Sequence, residues 1–229
     1  MISPVYRVVS FLLLMRRNQP IKKSWLFTKL YSLDRASPEL LSVQWLRTMD
    51  FFVEGNVAAG KSSLLQGFSQ FNVFPEPIEI WQNYGGFNLL HKMYAEPEKW
   101  TYHFQNLVSL SLVNQYKKKV TEFHRYLKDS ARFVFIPMAF NRGHLTALET
   151  RLLNDWQDSI AHLFSPKIQI YLRTTPSVCY DRLQRRNRIE EKGISLEYLT
   201  EIHELHEKWL MHGATNTIVV DGNEDIGVV

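Results

Sequence analysis

The segment Gly55-Asn56-Val57-Ala58-Ala59-Gly60-Lys61-Ser62 has the spacing of a phosphate-cradling loop. A short apolar run, Phe51-Phe52-Val53, precedes it, and a helix-compatible stretch beginning at Ser63 follows it. Strand, glycine-rich turn and helix are the context this chemistry requires. Glycines let the backbone curl so that successive N–H groups aim inward at phosphate oxygens, and the following helix adds its positive end. Lys61 is then placed for the β- and γ-phosphates of a nucleoside triphosphate, and the Ser62 hydroxyl for Mg²⁺.

A phosphate donor needs an acceptor site, and the next unusual segment is Phe74-Pro75-Glu76-Pro77-Ile78-Glu79-Ile80-Trp81. Two prolines around Glu76 fix the backbone and argue against helix there. A carboxylate at a strand end beside the loop can orient a hydroxyl and take its proton during transfer. By itself Glu76 reads equally as a solvated loop residue, and Trp81 as a packing aromatic. His203 and His206 are three apart on one expected helix face, which is not the zinc-protease spacing.

The elements that position these residues follow from pattern. Apolar runs at Phe51–Glu54, Phe133–Ile136, Ile168–Arg173 and Thr217–Asp221 read as strands. Helix-compatible stretches fall near 62–70, 86–95, 100–127, 145–163, 176–190 and 195–211. Strands alternating with helices predict an α/β fold, a central parallel sheet flanked by helices, with the loop at the carboxyl end of the first strand.

Bulk properties narrow the classes. The 229 residues are 45% hydrophobic, enough for one domain with a full core. The single cysteine, Cys179, excludes an internal disulfide. The formal net charge of +4 is concentrated at the start, since residues 1–50 hold eight Lys/Arg against three Asp/Glu. That removes most support for nucleic-acid binding by the remainder, residues 51–229. The first 33 residues hold six basic and no acidic side chains between apolar residues and serines, a composition that resembles a mitochondrial transit peptide. The alternative is an extension that targets nothing, in a cytoplasmic protein. The run from Val8 to Met15 is too short to span a bilayer, so no stable membrane insertion is expected.

Several motifs together resemble the deoxynucleoside kinases. They are Glu76-Pro77-Ile78 with Trp81, Asn88-Leu89-Leu90, Met93-Tyr94, Phe104-Gln105 and Ser130-Ala131-Arg132-Phe133. Downstream come Tyr171-Leu172-Arg173-Thr174, the arginine-rich run Tyr180 to Glu191, Leu196-Glu197-Tyr198-Leu199 and His203 to Leu210. The resemblance covers about Phe51 to Asp221 and implies a P-loop kinase fold. It also implies ATP with Mg²⁺, a deoxynucleoside substrate and a homodimer.

The resemblance further implies roles for single residues. The loop Gly55 to Ser62 with Ser63 holds the nucleotide, and Ser62 the metal. Glu76 is the general base at the 5′-hydroxyl, and Lys61 supports the transfer. Gln105 pairs with the edge of a pyrimidine, while Trp81, Ala131 and Phe135 line the base and sugar. Tyr94 and Glu191 hold the 3′-hydroxyl. Arg182, Arg186 and Arg188 are lid arginines that fold over the transferring group, Arg182 on the nucleotide side.

The chain also departs from that family. Its members carry a Glu-Arg-Ser triplet on a strand shortly before the Ser-Ala-Arg run, whereas here Arg125 and Tyr126 fall at that place. The stretch between Gln105 and Ser130 looks about three residues short, and Pro137 replaces a usual glutamate. The family usually also runs on into a final helix. A weakly active or non-catalytic nucleotide-binding relative, or an incomplete version of an active one, is therefore the alternative. A nucleoside monophosphate kinase is a third possibility, disfavoured because Trp81, Tyr94 and Gln105 suit a neutral pocket.

Overall fold

Asp50–Glu54 (β1), Lys167–Arg173 (β2) and Thr217–Asp221 (β3) form a parallel sheet in the order β1-β2-β3. Glu54 is level with Tyr171, and Arg173 with Asp221. The computed structural model describes residues 50–66, 73–117, 129–161, 167–212 and 217–224, all within the unit Met49–Val229. The basic extension before Asp50 lies outside them. So do Arg125, Tyr126 and the outer ends of the helices expected at 62–70, 100–127 and 145–163.

Ile170, Tyr171 and Leu172 are consecutive and all buried, which requires cover on both faces of the sheet. On one face Phe52 packs with Leu112, Val113 and Ile160, from α4 (Pro97–Lys117) and α6 (Ala147–Ala161). Tyr171 shares that face and meets Val134, Met138, Ile202 and Trp209. On the other face Leu172 packs with Cys179 and Leu183 of α7 (Pro176–Arg186) and with Leu199 of α8 (Leu196–His206). Each fully buried side chain of this size contributes about 1.5–3 kcal/mol relative to exposure.

The remaining helices are short. After the phosphate loop comes α1 (Lys61–Gln66), then α2 (Ile78–Gln82) and α3 (Leu89–Ala95). The expected helix at 86–95 starts late, because Gly85 and Gly86 have φ of 59° and 89° and Asn88 caps α3 through His91 N–H. The helix expected at 176–190 ends at Arg186, where Asn187 takes a left-handed φ of 49°.

The expectation of a strand at Phe133–Ile136 is corrected. Those residues belong to a π-helical stretch, Ala131–Phe135, that runs directly into α5 (Ile136–Asn141). Ala131, Val134 and Met138 are all buried, a spacing of three and four that marks one helical face. Pro137 has no N–H to donate, so the wider π turn just before it spares an α-helical bond. Among the described residues the sheet therefore has three strands.

Candidate active site

The loop leaving β1 is shaped by close contacts. Gly55 has φ 149°, and a Cβ there would lie 2.6 Å from the Leu172 carbonyl oxygen of β2, so only glycine fits. Ala58 adopts φ 59°, an uncommon conformation for a residue with a side chain. The Lys61 ammonium donates to the Gly55 and Asn56 carbonyls, both at 2.9 Å. Asn56 itself is buried and donates to Leu199 O at 2.7 Å, while its Oδ1 accepts from Val57 N–H at 2.8 Å. Thr174 and Arg182 each donate to Ala59 O at 3.1 Å.

A single cavity of about 660 Å³ brings this loop together with the acceptor-side residues. On its donor side lie Gly55, Val57 to Ser63 and Arg182. Glu76, Trp81, Tyr94, Gln105, Ala131 and Phe135, the residues expected on the acceptor side, line the same cavity, as do Arg186, Arg188 and Glu191. Of the residues expected to bind nucleotide or nucleoside, Asn56 alone is absent from the wall, its side chain tying the loop to α8.

Each acceptor-side residue has a structural reason for its place. Glu76 is half-buried in coil between Pro75 and Pro77, immediately before α2, and not at a strand end. Trp81 donates its indole N–H to Ser111 Oγ at 3.0 Å and meets Phe104 edge-on at 5.5 Å, which locks its ring against α4. Gln105 is buried one turn before Ser109, whose hydroxyl bonds back to the Gln105 carbonyl at 3.0 Å. Tyr94 stands edge-on to Tyr198, with ring centroids 6.4 Å apart. Burial, then the neighbouring Tyr198, Glu191 and Glu76, push the Tyr94 phenol well above its usual range, so it remains a neutral O–H donor.

The left-handed Asn187 turns the chain so that arginines on both sides of it converge on one carboxylate. Glu191 accepts from Arg186 Nη2 and, at 2.7 Å, from Arg188 Nη1. Arg182 serves a different place. It donates to the carbonyls of Ala59, Gly222, Asn223 and Glu224, joining the phosphate loop to the segment after β3.

Several residues with no role in the sequence reading also shape the site. Met138, Ala139, Arg142, His144 and Tyr198 line the cavity. Arg142 bonds Glu201 at 2.7 Å and lies over the Tyr198 ring at 5.1 Å. Glu54, the last residue of β1, is fully buried, and neither of its carboxylate oxygens has a hydrogen-bond partner. Burial first, then the charge of Asp129, push its carboxyl well above the usual carboxylate range, against the pull of the Lys61 charge. Its place between an apolar run and Gly55 is a sequence signal that a buried acid stands beside the loop.

The donor set suits Mg²⁺, an ion that takes one or two protein oxygens and completes its shell with phosphate and water. Ser62 faces the cavity, and the orphaned Glu54 carboxyl stands just behind the loop. Among the described residues no group of three or more acidic, His or Cys side chains forms a protein-only cage. His206 is buried among core residues, stacked on Tyr171, and burial lowers its pKa to about 4. Cys179 is buried too, and its thiol is pushed up to about 11 by that burial.

A parallel sheet with a phosphate loop at the carboxyl end of β1, opening on one shared cavity, defines a P-loop kinase fold. A family profile described as "Deoxynucleoside kinase" matches residues 51–228, and the chain belongs to that family. Mitochondrial thymidine kinase 2 of Macaca fascicularis is 37% identical over 170 residues, covering 71% of this chain and 64% of the relative. Deoxycytidine kinase 2 of Gallus gallus is 34% identical, with 76% and 82% covered, and mitochondrial deoxyguanosine kinase of Xenopus laevis is 32% identical, with 78% and 79% covered. The chain thus spans somewhat under two thirds of the length of the thymidine kinases it matches.

Proposed function

We propose that the protein transfers the γ-phosphoryl group of ATP to the 5′-hydroxyl of deoxyribonucleosides in nucleotide salvage, leaning towards thymidine and deoxycytidine. The observation that carries this is the continuous cavity, with the lysine of the phosphate loop and the Glu76 carboxylate on its walls. Direct transfer between two bound substrates demands that arrangement. The 5′-oxygen forms a bond to the γ-phosphorus as the bond to the β,γ-bridging oxygen breaks, ADP leaves with that electron pair, and Glu76 takes the hydroxyl proton. Lys61 neutralises charge on the phosphates.

Arg182, Arg186 and Arg188 line the same cavity. A guanidinium has five N–H donors, so Arg186 and Arg188 keep some for phosphoryl oxygens while bonded to Glu191. Ser62 would hold Mg²⁺, which supplies charge neutralisation between the phosphates. Tyr94 and Glu191 grip the 3′-hydroxyl, and Gln105 offers both donor and acceptor to the edge of a pyrimidine, with Trp81, Ala131 and Phe135 enclosing it.

A homodimer is supported by α6, where Leu148, Leu152 and Trp156 are exposed at successive spacings of four. Their one-sided apolar stripe suits a second copy of the same helix. A mitochondrial matrix location is supported by the basic, acid-free first 33 residues together with the mitochondrial relatives.

The test incubates purified protein with Mg²⁺·ATP and thymidine or deoxycytidine, with Glu76→Gln as control. Loss of a general base is expected to slow monophosphate formation by about 10²–10⁴-fold. Wild-type protein that makes no more product than the control overturns the proposal.

A further inference from the structure

Glu190 precedes Glu191 in a one-turn 3₁₀ helix, Ile189–Glu191, yet its side chain points the other way. Its Oε1 accepts from Gln82 Nε2 at 2.9 Å and from Asn88 Nδ2 at 3.0 Å. Gln82 is the last residue of α2, next to Trp81, and Asn88 caps α3, which carries Tyr94. Between these two donors the chain makes a tight reversal, with Tyr84 and Phe87 exchanging backbone hydrogen bonds of 2.9 and 3.1 Å. One oxygen of Glu190 therefore clamps both stems of that reversal to the turn that carries Glu191. Burial works against its charge, but bonds from Asn88 and Gln82 and the nearby Arg188 outweigh it and hold the carboxyl below the usual range.

The geometry has a consequence for the proposed nucleoside site. Tyr94 and Glu191 reach the same cavity from separate elements, α3 and the 3₁₀ turn. No continuous element joins them; the Glu190 bonds, with the packing of α3 on the turn, hold them in register. Asn88 is suited to this because its amide has two ends. Its Oδ1 accepts from His91 N–H and sets the start of α3, while its Nδ2 reports that position to Glu190. Adjacent glutamates thus divide the work, one anchoring the turn and the other facing the ligand with Arg186 and Arg188.

We infer that Glu190 is a positioning residue that sets the Tyr94–Glu191 spacing and thereby the grip on the 3′-hydroxyl of the nucleoside. The inference rests on the proposed nucleoside site. It requires that loss of Glu190 be felt by ligands with a 3′-hydroxyl and not by others. It touches neither the phosphate loop nor the base-facing Gln105.

Calorimetric binding of thymidine, of 3′-deoxythymidine and of Mg²⁺·ATP to wild type and Glu190→Ala tests it. Losing two hydrogen bonds to a charged acceptor is expected to weaken thymidine about tenfold, leaving 3′-deoxythymidine and ATP within about twofold of wild type. Glu190→Gln keeps an accepting oxygen and restores most of the loss. Gln82→Ala, which removes one donor only, shows the same selective pattern at smaller size and serves if Glu190→Ala does not fold. Unchanged thymidine affinity overturns the inference, as does an equal loss for both nucleosides. Wild type that binds ATP but neither nucleoside overturns the nucleoside site itself, a separate and recognisable outcome.

Discussion

Protonation of His206 should cost this protein about 3 kcal/mol of stability in mild acid. The ring is fully buried, stacked on Tyr171 with centroids 5.9 Å apart. Its Nδ1 is 2.8 Å from the Ile202 carbonyl, an acceptor, so Nδ1 carries the proton and Nε2 is the bare lone pair. Nε2 is buried with no partner, and protonating it would create both an unpaired donor and a charge without water. Burial, helped by Lys61 and His203, lowers the folded pKa to about 4, against the Ile202 bond and Glu207, which raise it. An unfolded histidine titrates near about 6.5. Because the folded value is depressed, the unfolded state binds the extra proton first. Stability is whole above about pH 6.5 and falls as pH drops towards 4. The gap of about 2.5 units corresponds to about 3 kcal/mol. Urea unfolding of wild type and His206→Gln at pH 7, 6, 5 and 4 measures it, since other titrating groups cancel in the difference. The advantage of wild type over the variant should shrink by about 3 kcal/mol across that range. A difference that stays constant with pH refutes the assignment.

Two other substitutions probe the site and the surface. Gly55→Ala drives a Cβ to 2.6 Å from the Leu172 carbonyl oxygen, so the loop must move, and stabilisation by Mg²⁺·ATP in a thermal melt should be lost or cut at least tenfold in apparent affinity. A melt shift equal to wild type contradicts the role of that glycine. Leu152→Glu, on the exposed stripe of α6, should convert dimer to monomer in light scattering while changing monomer stability by no more than about 0.5 kcal/mol. A wild-type protein that is already monomeric removes the basis for this surface.

What the sequence made legible was whatever a local pattern encodes. The phosphate loop appears where expected, and the strand before it and the strands at Ile168–Arg173 and Thr217–Asp221 have bounds shifted by at most one residue. The following helix starts one residue early, its expected end at 70 lying outside the described residues. Phe133–Ile136 went wrong because four apolar residues have no period of their own. Only the longer series Ala131, Val134, Met138 shows the helical face, and Pro137 obscures it. Resemblance supplied the acceptor-side residues, and the shared cavity brings them together. The contacts that locate them were not readable in advance. Trp81 to Ser111, Asn56 to Leu199 and Glu190 to Gln82 join positions 30, 143 and 108 residues apart, and no local spacing encodes such pairs.

Ala58 gives the nucleotide loop a mechanical character. An L-residue in the left-handed region costs about 1–2 kcal/mol, and the chain bears that cost within the fold itself. The bonds from Thr174 and Arg182 to the next residue, Ala59, hold the bend in place. The bend is thus fixed by contacts within the fold, which lessens the ordering that binding a triphosphate requires. Residues of α7 and of the segments after β2 and β3, which brace that bend from behind, therefore bear on how tightly the loop holds phosphate.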